Sequence, residues 1–301
     1  MSQVWFITGT SSGFGQLFAL EALERGDRVI ASARNATKRP ELEILKEKGA
    51  KLLDLDVSAP KSEIAGKMKE AVEIYGQIDV LVNNAGYLEM GFIEGMEEEK
   101  LMNQLNTNAF GAIRITQALL PHMRERRSGK IAFTGSIFGF YSMELCFPYA
   151  ASKYMLAAFN ETLSSEVSQF GIQSILFDIG HFRTPVISVA KLSVPTIPDY
   201  LPMMEEFGAM AAKIDGFQPG DPILGVKRMV DVLKGEGETK GKKLPLRMPI
   251  GGDAVELVKG RCEEMVKEIG EWEGLGRNTS FPGVEDAREK TKRTGDYRPS
   301  W

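Results

Sequence analysis

Near the N-terminus a short apolar run, Val4–Ile7, leads directly into Thr8-Gly9-Thr10-Ser11-Ser12-Gly13-Phe14-Gly15, and a helical pattern follows from Phe14 to Arg25. This order of strand, glycine-rich turn and helix restricts the fold more than any other feature of the chain. Glycines permit a tight turn and let backbone approach a pyrophosphate, and the helix N-terminus behind them favours negative charge. Leu17, Leu20, Ala22 and Leu23 supply apolar positions at helical spacing. A glycine-rich turn before a helix can also be purely structural, so the rest of the chain has to decide. The candidate cofactor-binding residues here are Gly9, Thr10, Ser11, Ser12, Gly13, Phe14 and Gly15.

The alternation continues. β-rich runs at Val4–Ile7, Arg28–Ala33, Lys51–Leu55, Val80–Asn83, Lys130–Thr134 and Ile172–Phe177 are separated by longer helical patterns. That pattern predicts an α/β fold, a single Rossmann-type doubly wound parallel sheet with helices on both faces. A nearly continuous apolar run such as Ile78–Val82 suits a sheet covered on both sides. After Phe177 the alternation stops. Pro185 to Pro222 is rich in proline and methionine, and a stretch of that length is expected to be a lid or disordered rather than a regular core element. Leu244–Ile250 reads as another strand and Asp253–Trp272 as an amphipathic helix. The expected organisation is a domain over residues 1–275, a substrate lid at about 186–220 within it, and a polar C-terminal tail over 276–301.

Composition narrows the function class. The chain has 301 residues, 43% apolar and 26% charged, with a net charge of −4. No basic footprint for nucleic acid or an anionic membrane stands out, and no stretch approaches membrane-spanning length. Two cysteines, Cys146 and Cys262, are too few for a disulfide framework and suggest a reducing, cytoplasmic setting. Two histidines, His122 and His181, with so little thiol support predict no metal site. His122 ends a helical pattern and reads as a surface cation.

The end of the second strand, Ala31-Ser32-Ala33-Arg34-Asn35, bears on the choice of dinucleotide. An acid there bonds the ribose 2′-hydroxyl of NAD, whereas an arginine accommodates the 2′-phosphate of NADP. Here there is no acid and Arg34 is in place, with Ser11 and Ser12 able to add hydroxyls. NADP(H) is favoured over NAD(H), the alternative being that Arg34 is a solvated surface charge.

Tyr149 and Lys153 are four residues apart at the head of a helical pattern, so phenol and ammonium share a face. A tyrosine with a pKa near ~10 is a poor acid–base group at neutral pH, and a neighbouring cation lowers that value. The pair alone is a common coincidence. Its company is not: Thr8–Gly15, Asn83-Asn84-Ala85-Gly86, Asn108 within Asn106–Gly111, Ser136 just after a strand, and then Tyr149/Lys153 occur in order. In that ordered set, over roughly Met1 to Pro185, the chain resembles the classical short-chain dehydrogenase/reductase family. The Leu244–Ala254 segment more weakly resembles a fungal-type subgroup of short-chain oxidoreductases, for which a role in secondary metabolism is the expectation.

The resemblance implies roles. Tyr149 would be the proton donor to the developing alkoxide, with Lys153 lowering its pKa and contacting the nicotinamide ribose. Ser136 would position the carbonyl oxygen, and Asn108 would hold a water linking Lys153 to solvent. Asp56 and Val57 would contact adenine, Asn83, Ala85 and Gly86 would line the ribose side, and Thr184 would meet the carboxamide. The cofactor would bring the hydride and the protein the geometry and proton. Where the family commonly has Pro-Gly, this chain has Ile179-Gly180, which predicts a less constrained backbone there. The family also implies a homodimer or homotetramer.

The substrate end is less defined. Phe138, Phe140, Tyr141, Met143, Leu145, Cys146 and Phe147 lie between Ser136 and Tyr149 and predict an apolar, aromatic-lined pocket. Phe138, Glu144, Leu145, Cys146, His181 and Phe182 are the candidate substrate contacts. Glu144 is the one charge of that loop, and His181 is either a substrate contact or an ordinary loop histidine. Met203, Met204, Phe207 and Met210 either cover a bulky substrate or pack together as a satellite core. The favoured reading is NADPH-dependent interconversion of a carbonyl and an alcohol on a hydrophobic small molecule. Non-redox or multi-step chemistry on the same fold, and a non-catalytic NADPH-sensing protein, are the alternatives.

Overall fold

Val4–Thr8 forms the first strand, β1, and its alternation builds a core on each side of the sheet. Trp5 and Ile7 pack with Phe18 and Ala22 of helix α1 (Gly13–Glu24) and with Met229 and Val230 of helix α8 (Pro222–Lys234). Val4 and Phe6 face the other way, onto Ile64, Met68, Ile115, Leu119 and Leu156. These come from helices α3 (Lys61–Tyr75), α5 (Gly111–Arg126) and α6 (Phe147–Val167). These contacts are seen in a computed structural model, which describes residues 2–193, 197–277 and 279.

The remaining strands of the sheet are β2 (Arg28–Ala33), β3 (Lys51–Asp54), β4 (Val80–Asn83), β6 (Gly129–Thr134), β7 (Ile172–Ile179) and β9 (Arg247–Ile250). Their order is β3-β2-β1-β4-β6-β7-β9, and every pair is parallel. The sequence-based expectation of a doubly wound parallel sheet is met. Strand order reverses between β1 and β4, and a crevice opens at the carboxyl ends of strands at such a switch point.

Several boundaries differ from expectation. β7 extends to Ile179, where Ile179 pairs with Ile250 and the Gly180 amide donates to the Ile250 carbonyl at 2.9 Å. The backbone lacking the family's proline is therefore constrained by β9. β9 begins at Arg247 rather than Leu244, and Pro249 is tolerated because β9 is an edge strand. The lid region contains a regular helix, α7 (Leu201–Ile214), none of whose residues is buried. It also contributes β8 (Lys191–Leu192), which pairs with β5 (Glu89–Met90) in a two-stranded parallel sheet of its own. Short helices α2 (Glu43–Glu47) and α4 (Glu98–Leu105) complete the crossovers.

Met1–Val258 forms one compact unit and Lys259–Trp301 a second. Helix α9 runs over Gly252–Arg277, longer than the pattern indicated. Pro195 of the expected lid and most of the 276–301 tail lie outside the described residues. Among the described residues no helix is long and apolar enough to cross a membrane, and no cluster of three or more His, Cys, Asp or Glu could hold a metal. His122 is not a surface cation: its Nε2 is buried with no hydrogen-bond partner among the described residues, and burial, with Arg126 adding to it, lowers its pKa.

Candidate active site

The crevice at the β1/β4 switch point is a cleft of about 780 Å³. At one end lies the glycine turn. Gly9 and Gly13 have φ of +69° and +56°, a region that costs other residues strain. A Cβ on Gly9 would lie 2.8 Å from the Ala85 Cα, and one on Gly15 would lie 2.2 Å from the Gly9 carbonyl oxygen. Only glycine fits this cradle. Ser12, the N-cap of α1, makes no side-chain cap, so the first-turn amides are left for a ligand. An anionic dinucleotide fits what the turn offers.

Gly9, Ser11, Ser12, Gly13 and Phe14 line the cleft. Thr10 and Gly15 do not. Thr10 is fully buried and ties the turn to β2 through its amide and hydroxyl, both on the Ser32 carbonyl at 3.1 and 3.2 Å. Arg34 lines the cleft from the end of β2 and is exposed. Beside it stands Arg39, which the sequence did not reveal because no motif marks it. Asn35 takes a left-handed conformation (φ 54°), and the chain returns so that the Arg39 Nε donates to the Arg34 carbonyl at 2.7 Å. Asp56 and Val57 also line the cleft, with Asp56 accepting from the Ser58 amide and hydroxyl at 2.8 and 2.6 Å.

Ala85 and Gly86 line the cleft, but Asn83 does not. As the last residue of β4 its side chain points into the protein, where its amide donates to the Thr116 hydroxyl at 3.1 Å. Asn84, next in the chain and facing the other way, lines the cleft and donates to the Thr8 and Gly9 carbonyls at 2.9 and 3.2 Å. The period of two along a strand was the available signal. Thr184 lines the cleft opposite the turn, its Cβ 3.8 Å from where one on Gly13 would be.

At the other end stand Ser136, Tyr149 and Lys153. Helix α6 begins at Phe147 with proline next, which places Tyr149 and Lys153 on successive turns. The Lys153 Nζ lies 5.3 Å from the Tyr149 ring centroid and donates to the Thr134 carbonyl at 2.7 Å. Ser136 follows β6, and its hydroxyl accepts from the Phe138 amide at 3.2 Å. Desolvation pushes the Tyr149 phenol up to about 12; its hydrogen bond with Ser136 pulls the other way, and Cys146 adds a smaller upward push. Lys153 is pushed down to about 8 by burial, opposed by the charge of Asp178. The phenol is thus moved up, rather than down as the sequence predicts, because desolvation dominates there.

Asn108 sits in a π-helical turn, Asn106–Phe110, between α4 and α5. It does not line the cleft. Its Oδ1 accepts from the Tyr87 amide at 3.0 Å, and its Nδ2 donates to the Tyr87 carbonyl at 2.9 Å and the Ser152 hydroxyl at 3.3 Å. It clamps the backbone after β4 to the helix that carries Tyr149 and Lys153.

Of the candidate substrate contacts, Phe138, Cys146, His181 and Phe182 line the cleft. Glu144 and Leu145 do not. Glu144 is exposed, and Leu145, at φ 65°, turns into a satellite core with Met90, Phe92 and Cys146. Burial pushes the Cys146 thiol up to about 11. Phe138 stacks on Tyr141 and meets the Tyr149 ring edge-on at 5.7 Å. Met204 and Phe207 pack against the satellite core, and Phe207 and Met210 also line the cleft, whereas Met203 is exposed. The His181 amide and Nδ1 both meet one carboxylate oxygen of Asp253, at 2.7 and 2.9 Å. Behind Lys153, Asp178 is fully buried and paired with Arg247 at 2.6 Å. Arg247 in turn lies 3.8 Å over the Phe140 ring.

Comparison with known proteins agrees with this geometry. The short chain dehydrogenase family matches residues 3–191. An oxidoreductase of Botryotinia fuckeliana is 32% identical over 279 residues, covering 91% of this chain and 98% of its own length. The oxidoreductase claN of Passalora fulva is 40% identical over 192 residues, covering 61% of this chain and 84% of its own. Among solved structures, a short-chain dehydrogenase from Streptomyces avermitilis matches with a TM-score of 0.82 at 33% identity, over 93% of this chain and 98% of that one. A variant of actinorhodin polyketide ketoreductase, solved with NADPH, matches with a TM-score of 0.70 at 29% identity, over 84% of this chain and 97% of that one.

Proposed function

The chain belongs to the short-chain dehydrogenase family, and on that premise we propose that it is an NADPH-dependent reductase of hydrophobic, bulky or aromatic carbonyl compounds. The observation that carries this reading is one continuous cleft. It joins the glycine turn and the Arg34–Arg39 guanidinium pair to Ser136, Tyr149 and Lys153, with an apolar wall of Phe138, Met143, Phe182, Phe207 and Met210. Arg34 with no acid following it directly after β2, and Arg39 beside it with only a 3.5 Å pairing to Glu41, suit a ribose phosphate rather than a free 2′-hydroxyl.

When bound, the reduced nicotinamide supplies the hydride. The protein's own part is position and proton. Ser136 and Tyr149, both on the cleft wall and near enough for the serine to act on the phenol, converge on a carbonyl oxygen placed between them. Tyr149 donates its proton to that oxygen as negative charge develops there, and the Lys153 cation stabilises the resulting phenolate. The aromatic wall excludes water and holds the apolar body of the substrate. A positioned proton donor contributes about 10²–10⁴-fold.

The test is oxidation of NADPH with a panel of aromatic aldehydes, quinones, ketosteroids and polyketide-like ketones. Turnover is expected with wild type and loss of it in Tyr149→Phe with NADPH binding kept. Retained turnover in that variant sinks the proton-donor assignment, and equal dissociation constants for NADPH and NADH sink the cofactor preference.

A further inference from the structure

His181 and Asp253 form a pair at the cleft that the proposed proton transfer does not use. Ser136 and His181 leave the carboxyl ends of neighbouring strands, β6 and β7, just past their last register pair, Thr134 with Phe177. The glycine turn follows β1, which lies on the other side of β6 in the sheet order. His181 therefore stands beyond Ser136 as seen from the glycine turn. Its ring is held further outward still, because Asp253 sits at the head of α9, directly after the edge strand β9. The chain comes back to the glycine turn only afterwards, with Phe182 edge-on to Phe14 at 5.3 Å and Thr184 opposite Gly13.

The pairing fixes the imidazole. Asp253 Oδ2 accepts from the His181 amide at 2.7 Å and meets the ring Nδ1 at 2.9 Å. The first bond is open to any residue with an amide, whereas the second belongs to the histidine ring. A carboxylate oxygen only accepts, so Nδ1 carries a proton and Nε2 is the atom left over. Nε2 has no hydrogen-bond partner among the described residues, and the side chain, 41% exposed, lines the cleft. Asp253 is committed to this contact. An acid in the first turn of a helix ordinarily serves the helix's own amides, but here Oδ2 turns to His181 and Oδ1 is buried with no hydrogen-bond partner among the described residues. The carboxylate has room only because its neighbours are glycines: a Cβ on Gly180 or Gly251 would collide with Oδ1.

We propose that His181, its ring fixed by Asp253, is a specificity-determining residue whose Nε2 hydrogen-bonds a hydroxyl of the substrate. The preferred substrate is then an aromatic ketone or aldehyde with a second oxygen, a hydroxyl remote from the reacting carbonyl. This rests on the proposed reduction of aromatic carbonyl compounds by this cleft. With the carbonyl oxygen between Ser136 and Tyr149 and the apolar body against Phe138 and Phe182, Nε2 is a polar atom on the side away from the cofactor. Arg34, Arg39 and Asp56 lie at the opposite end, beyond β2 and β3. A hydroxyl suits the ring because it donates to the Nε2 lone pair, whereas a methyl ether only accepts. A contact remote from the reacting carbon is made equally before and during hydride transfer, so it acts on KM rather than kcat.

The experiment measures kcat and KM with NADPH for full-length wild type, His181→Leu, His181→Ala, His181→Gln and Asp253→Asn. The substrates are tetralones with a hydroxyl at each aromatic position in turn, their methyl ethers and unsubstituted tetralone, and NADPH dissociation constants are measured alongside. For at least one ring position wild type is expected to favour the hydroxyl over the ether by about tenfold in kcat/KM, carried by KM. His181→Leu and His181→Ala bring that ratio close to one. His181→Gln keeps part of it through its amide, and Asp253→Asn lowers it by loosening the ring. A wild-type ratio near one at every position overturns the proposal, as does a ratio unchanged in His181→Leu or His181→Ala. Turnover of other carbonyls with no hydroxytetralone accepted overturns it too. A loss of NADPH affinity in His181→Leu as large as the loss in kcat/KM places the ring on the cofactor instead. If wild type reduces no carbonyl, here or in the wider panel, the underlying functional reading is what fails.

Discussion

Arg247→Met removes one partner of a pair whose other member cannot reach water. Asp178 is fully buried, and Arg247 holds it with two bonds, Nε at 3.0 Å and Nη2 at 2.6 Å. Breaking a buried pair from one side costs about 3–5 kcal/mol, most of it from the orphaned charge. For a chain of this size that corresponds to a fall in Tm of about 6–15 °C, at roughly 2–3 °C per kcal/mol. Methionine retains part of the packing over Phe140, so the loss is chiefly electrostatic. Burial already holds the Asp178 carboxyl above its usual range despite Arg247, and without the guanidinium it rises further. A carboxyl whose folded pKa exceeds its unfolded value of about 3.9 destabilises only above that value, and increasingly so as pH rises toward the folded pKa. The deficit of Arg247→Met relative to wild type is therefore larger at pH about 8 than at about 5. The assay is urea unfolding at both pH values, repeated on Asp178→Asn/Arg247→Met, which lacks the orphan charge and should recover at least half of the loss. A pH-independent deficit, or a double variant no more stable than the single, refutes the reasoning.

Lys153 loses its proton at about 8, before Tyr149 does, so kcat/KM for carbonyl reduction should fall as pH rises through that value. Asp178→Asn removes the charge that supports the ammonium and should move this limb to lower pH; an unmoved limb in pH–rate profiles would contradict the link. Gly15→Ala drives a Cβ into the Gly9 carbonyl, 2.2 Å away, so NADPH affinity should drop by about tenfold or more with a lower Tm, read by titration and thermal unfolding. Arg39→Ala should weaken NADPH by about fivefold and leave NADH unchanged, because Arg39 both faces the cleft and bridges to the Arg34 carbonyl; equal losses for the two cofactors would remove it from phosphate recognition.

The strand, turn and helix around Gly9–Gly15, the parallel sheet and the Ser136, Tyr149 and Lys153 positions were all legible in the sequence. All but Ser136 depend on local rules, namely glycine's freedom, apolar periodicity and the i, i+4 geometry of a helix, whereas Ser136 was marked by the resemblance to the family. Strand parity was also available, and it separates the inward Asn83 from Asn84 on the cleft wall. Other features came only from chain segments meeting in space. Arg39 joins Arg34 through a turn that no motif marks. Asp253, at the head of α9, reaches back to His181 across 72 residues, and Arg247 reaches Asp178 across 69. Leu145 is sequestered, although its loop is bounded by two site residues, because a left-handed backbone turns it into the satellite core. The electrostatic state of the site belongs to the tertiary structure as well. A tyrosine and a lysine four residues apart carry no information about how much water surrounds them, and desolvation moves both groups away from their ordinary values.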